Sequence, residues 1–155
     1  MRIQSASLDN RRRAFVLSTE RGTFSFPYVK CDPPPTPTDH VAEFWIDDEL
    51  GREGLTYRLA SGREGVVLVD MALDYNREPA FMRDMFLHQL TVEALRHLES
   101  SGLAKREVIR RLGTSPAQLY RLLDPADYSK SVDRMLELLS VLGCEVEFSV
   151  RPRSA

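Results

Sequence analysis

The side chains best suited to chemistry in this chain are Lys105, Arg106, Gln118, Tyr120 and Arg121, with the hydroxyls of Thr114 and Ser115 between them. Cations, an amide, a phenol and hydroxyls are the groups that bind phosphate oxygens and the edges of bases. Two short helical patterns set their spacing. Val108, Ile109 and Leu112 fall at i, i+1 and i+4, one apolar face of a helix. Gly113 follows, the residue type that most easily leaves the helical path. Ser115 offers a cap hydroxyl, and Pro116 suits a first helical position. Leu119, Leu122 and Leu123 form the second apolar face. Two short helices around a tight turn, the second polar and basic on its open side, have the shape that enters a DNA major groove. Arg121 points away from Leu119 and Leu122 in helical phase. It is therefore expected to reach a base edge, most simply guanine O6 and N7. Gln118 and Tyr120 flank it, and Thr114 and Ser115 are expected to hold phosphates at the helix N-terminus.

The same stretch resembles the lambda-repressor/Cro type of helix-turn-helix, the XRE family. Glu107, Val108, Leu112, Gly113, Thr114, Ser115 and Leu119 match the family pattern, and the resemblance covers residues 81–143. Lys105 stands where the family usually carries Gln, and Ile109 where a small Ala lets the helices approach. Ala104 gives no side-chain cap, and Pro116 and Ala117 occupy positions that often read bases. The resemblance implies a homodimeric transcriptional regulator that binds double-stranded DNA. It also implies that Lys105, Arg106 and Lys130 contact phosphate. An antitoxin-like module, which neutralises a protein partner and autoregulates its operon, is the alternative it allows.

No other motif competes. His40, His88 and His97 form no i+3 or i+4 pair, and neither cysteine lies near a histidine in sequence, so no metal site is expected. Asp47, Asp48 and Glu49 read as a solvated turn. Gly51, Gly54, Gly62 and Gly65 lack phosphate-loop spacing. The expectation is a protein that is not an enzyme and holds no cofactor. Trp45, on a strand-like run, is expected in the core.

The elements that must position these residues give an α+β chain. Residues 1–76 read as a small antiparallel β-domain, with strands over Arg2–Leu8, Ala14–Thr19, Thr23–Val29, Val41–Asp47, Leu55–Leu59 and Val66–Asp70. The prolines of Cys31–Thr38 exclude a central strand. That stretch reads as a rigid surface loop, with partner docking as its functional alternative. Residues 77–155 read as a helical domain with a terminal strand. Residues 78–101 show Phe81, Met82, Met85, Phe86, Leu90, Leu95 and Leu98 at mostly helical spacing, and residues 131–142 form the last helix. Cys144–Arg151 alternates with period 2, the mark of a half-buried strand that needs a partner sheet. It is a candidate dimer joint.

Charge and composition agree with this picture. The net charge of −2 argues against a nucleic-acid binder until it is resolved along the chain. Residues 104–134 hold seven Lys/Arg and four Asp/Glu, an excess of +3 on the motif, whereas residues 1–76 hold nine and twelve, giving −3. So small a surplus predicts reliance on a dimer. No run of about 18 apolar residues is present, so no membrane span is expected. MRIQSASLDNRRR lacks the apolar region of a secretion signal, and two distant cysteines make no disulfide framework. A cytoplasmic protein is the expectation.

Overall fold

The computed structural model describes residues 1–154. The chain is α+β: two three-stranded antiparallel sheets precede five helices, of which four carry the C-terminal half. It divides into two compact units, Met1–Met82 and Arg83–Ala155.

The first sheet runs β1 (Ile3–Asp9), β2 (Ala14–Thr19), β3 (Gly22–Pro27), and the second β4 (Val41–Asp47), β5 (Gly54–Leu59), β6 (Glu64–Leu68). Alternation decides which side chains go inward. In β6, Gly65 and Val67 are buried while Glu64, Val66 and Leu68 face out. Ile3, Phe15 and Leu17 from the first sheet share one core with Leu55, Tyr57, Leu59 and Val67 from the second. The rings of Phe15 and Tyr57 lie 4.9 Å apart at their centroids. Each such side chain, fully withdrawn from water, contributes about 1.5–3 kcal/mol.

Two expectations for this unit are corrected, the strand through Asp70 and the core position of Trp45. Residues from Val66 onward read as a strand through Asp70, but β6 stops at Leu68 and α1 (Val69–Tyr75) begins at once. Val69, Ala72 and Leu73, at i, i+3 and i+4, are its buried face. Packing on β3 and β6 overrides the β-branched run. The first compact unit runs to Met82, and α1 and Phe81, in the first turn of α2 (Pro79–Ser101), join its β-core. Trp45 is not core: it lies 37% exposed on the outer face of the second sheet, with the Arg58 guanidinium 5.6 Å from its ring centroid.

The helical unit holds the rest of α2 with α3 (Lys105–Leu112), α4 (Pro116–Leu122) and α5 (Val132–Val141). Leu87, Leu90 and Ala94 of α2 pack with Val108, Leu112, Leu119, Leu122, Met135, Leu138 and Leu139 in a single core. Its inward face on α2 differs from expectation, since Phe86 and Leu95 are 40% and 37% exposed. The terminal strand is absent. Cys144 closes α5 by donating to the Leu139 carbonyl at 2.9 Å, and residues 144–154 form no ladder. Period-2 alternation makes a strand only where a sheet edge accepts it, and every strand among the described residues belongs to the β-unit. Phe148 and Val150 stand 83% and 88% exposed.

Gly65 tests the β-core. A Cβ there would lie 2.2 Å from Tyr57 Oη and 2.6 Å from the Asp32 carbonyl oxygen. Tyr57 cannot yield, because its hydroxyl donates to the Pro33 carbonyl at 2.6 Å. We expect Gly65→Ala to destabilise this unit by about 1–3 kcal/mol. Trp45, the sole tryptophan, reports it: the urea midpoint of its fluorescence should fall, and an unchanged midpoint would refute the packing.

Candidate nucleic-acid interface

The connection between α3 and α4 is closed by backbone geometry. Gly113 adopts φ 64° and ψ 39°, the left-handed region open to a residue without a Cβ. From there its N–H donates to the Arg110 carbonyl at 3.2 Å, and Thr114 N–H to Ile109 at 3.2 Å, the paired bonds of a Schellman ending. Ser115 then opens α4: its Oγ accepts from Gln118 N–H at 3.2 Å, with Pro116 at the first helical position. Ala104 caps α3 with no side-chain bond, as its type requires.

Leu119 and Leu122 anchor α4 in the core, so Gln118, Tyr120 and Arg121 are carried on its exposed side. Tyr120 is 60% exposed. The Lys105 ammonium sits 5.1 Å from the Tyr120 ring centroid, which joins the start of α3 to the open face of α4. Arg106 is exposed and makes no ion pair among the described residues. Thr114 is half-buried and Ser115 is exposed, though its Oγ already serves the cap.

Two expected contact residues are placed differently from their sequence reading. Lys130 is 3% exposed, and its Nζ donates to the carbonyls of Leu122 at 2.9 Å and Asp124 at 2.8 Å. It closes the end of α4 and is not presented at the surface. Burial lowers its pKa, opposed by Asp127 and Asp124. Arg121 folds back on the following loop, with Nε 3.1 Å from Asp127 Oδ2 and a second nitrogen 2.7 Å from Ser129 Oγ. Bonds from Ser129, then Arg121, hold the Asp127 carboxyl below its usual pKa.

The remaining cations of the motif are neutralised locally. Glu107 accepts from Arg110 and Arg111, at 2.5 and 2.8 Å, and these bonds lower its pKa to about 2. Arg134 pairs with Glu137. Gln118, Arg121, Ser129, Ser131 and Arg134 surround a hollow of about 240 Å³ between α4 and α5. Sequence reasoning missed Ser129, Ser131 and Arg134; the signal was Ser131, the N-cap of α5, whose Oγ accepts from Arg134 N–H. Among the described residues no group of three His, Cys, Asp or Glu could hold a metal ion, and no helix is long and apolar enough to cross a membrane.

No family model, curated protein or solved structure matches this chain.

The Lys130 contacts can be tested apart from any ligand. Lys130→Met leaves the carbonyls of Leu122 and Asp124 without their charged donor, and we expect it to lower the stability of the helical unit by roughly 1–3 kcal/mol. Urea unfolding followed by far-ultraviolet circular dichroism measures this. An unchanged midpoint, or an equal loss in Lys105→Ala, would show that the buried ammonium does not hold the α4 end.

Proposed function

We propose that this chain is a sequence-specific DNA-binding regulator that acts as a homodimer and places α4 in the major groove. One observation carries the reading: a left-handed glycine turn joins two capped short helices and leaves Gln118, Tyr120 and Arg121 outward on the second. Arg121 reads a base edge, flanked by Gln118 and Tyr120. Lys105 and Arg106 meet the phosphate backbone beside them, and Thr114 and Ser115 lie at the start of the reading helix. Lys130 has no part in the contact, because its ammonium is buried on two carbonyls.

Base reading requires Arg121 to leave Asp127 and Ser129. An exposed ion pair is worth about 0–1 kcal/mol. A bidentate arginine–guanine contact discriminates by about 1–3 kcal/mol. The exchange therefore favours the base, and the internal pair holds the side chain ordered until DNA replaces it.

A single motif with so many of its cations paired internally binds weakly, which is why the reading includes a dimer. Two copies related by a two-fold axis would set their reading helices about 34 Å apart on one face of a palindromic site. Val146, Phe148 and Val150, exposed and unpaired within the chain, supply the apolar side of a joint.

Selection of bound DNA from a random pool, repeated across salt concentrations, tests the whole reading. We expect a palindromic site. On it, Arg121→Ala should cost about 1–3 kcal/mol and relax one position in each half. If affinity and preference are both unchanged, Arg121 is not the reader. Lys105→Ala should weaken all sequences alike and lower the slope of log affinity against log salt by about 1 per bound copy. A loss confined to one sequence would assign Lys105 to base reading instead.

Light scattering tests the joint. Phe148→Asp should leave a folded monomer with lost operator binding, since no core depends on that ring. A wild-type monomer bound as one copy per site would overturn the dimer.

A further inference from the structure

The β-unit carries a second concentration of unpaired positive charge, at the tip of a hairpin. Arg11, Arg12 and Arg13 occupy the tip of the β1–β2 hairpin. Most other arginines of this unit are neutralised: Arg21, Arg52, Arg58 and Arg63 each face a carboxylate within 3.5 Å. At the hairpin tip the pattern breaks. Arg11, Arg13 and nearby Lys30 make no ion pair among the described residues, and Arg12 touches Asp9 only at 3.8 Å with its side chain 85% exposed. In a unit whose first 76 residues sum to −3, four cations gathered at one end are a local inversion of charge.

The ground beside them is apolar and hollowed. Two concavities, of about 280 and 420 Å³, share Arg13, Pro35 and Thr36 as a common wall. Pro27, Val29 and Pro34 line the larger one together with Arg12 and Arg13. Val29 is 81% exposed, more than any other large apolar side chain of this unit. Its exposure is built in. Tyr28 and Val29 share one tight turn, Tyr28–Lys30, so one faces inward and the other outward. Tyr28 fastens that turn to the hairpin: its backbone N–H donates to the Arg13 carbonyl at 2.8 Å and its hydroxyl to Asn10 Oδ1 at 2.9 Å. The arginines and Val29 are therefore held side by side before anything binds, which lowers the ordering cost of a complex.

We propose that this groove docks an extended acidic segment of a protein partner. Its carboxylates meet Arg11, Arg12, Arg13 and Lys30, and an apolar side chain seats against Val29 and Pro34. Charge complementarity selects the acidic partner. The proline and valine walls select a peptide over a nucleic-acid backbone, because phosphate needs no apolar floor and a side chain does. The segment is extended because hollows of this size admit single side chains on both flanks of the Pro35–Thr36 wall, not a folded surface.

A short fluorescein-labelled peptide alternating glutamate with leucine is the probe, titrated with the full chain and read by fluorescence anisotropy. We expect saturable binding that weakens with salt. Arg11→Ser/Arg12→Ser should weaken it about tenfold, and Val29→Asp by a similar factor. Trp45 fluorescence in the same unit shows that each variant remains folded. A matching peptide with serine in place of leucine should bind more weakly, and one with lysine in place of glutamate should not bind. Absence of saturable binding, or equal binding by the wild type and both variants, would overturn the proposal. So would an oligothymidylate that binds more tightly than the peptide and is lost in the Arg11→Ser/Arg12→Ser variant, for that would make the hairpin a nucleic-acid contact.

Discussion

A helix ends in amides and carbonyls that nothing within it can satisfy, and the helical unit is arranged around that constraint. Gly113 closes α3 by turning left-handed, so that two backbone N–H groups reach back to its last carbonyls. Ser115 opens α4 with its hydroxyl. Lys130 closes α4 from eight residues away by donating to Leu122, and Ser131 opens α5 directly after it. Four helix ends are thus satisfied in sequence, each by the residue type its conformation demands. The turn at Gly113–Ser115 sets the direction of α4, and the end at Leu122 keeps it. Between those points Gln118, Tyr120 and Arg121 have one outward side to occupy.

The same economy governs charge. Glu107 holds two arginines and Asp127 a third, so much of the basic surplus counted along the motif is already answered within it. These exposed pairs add little to stability. Their effect is on placement: long side chains are kept near one rotamer. Lys130 follows the opposite rule. Its charge is buried, and its pKa is lowered by desolvation, so the ammonium is held by two carbonyl dipoles instead of a carboxylate.

In the β-unit the governing constraint is the close approach of two sheets. Tyr57 is fully buried between them, its ring against Phe15 and its hydroxyl bonded to the Pro33 carbonyl. Only a glycine at position 65 leaves room for it. That one contact fixes the proline loop to the second sheet. Burial also pushes the pKa of the Cys31 thiol, at the start of the same loop, up to about 12.

Local effects were legible in the sequence. The left-handed turn at Gly113, the cap at Ser115, the Pro116 start and the strands Ala14–Thr19 and Val41–Asp47 all rest on preferences that act within a turn of helix or along one pleat, and the residue types display them. The α+β class follows from the change of apolar period along the chain. Tertiary structure alone decided the rest. It turned Val69–Tyr75 into a helix because a core was there to receive Val69, Ala72 and Leu73. It left Trp45 outside and Cys144–Arg151 without a ladder, because alternation defines two faces but not which one is covered. It buried Lys130 and tied Arg121 to Asp127, since a flexible cation takes whichever acceptors the folded chain brings near, and those acceptors have no signature in its neighbours.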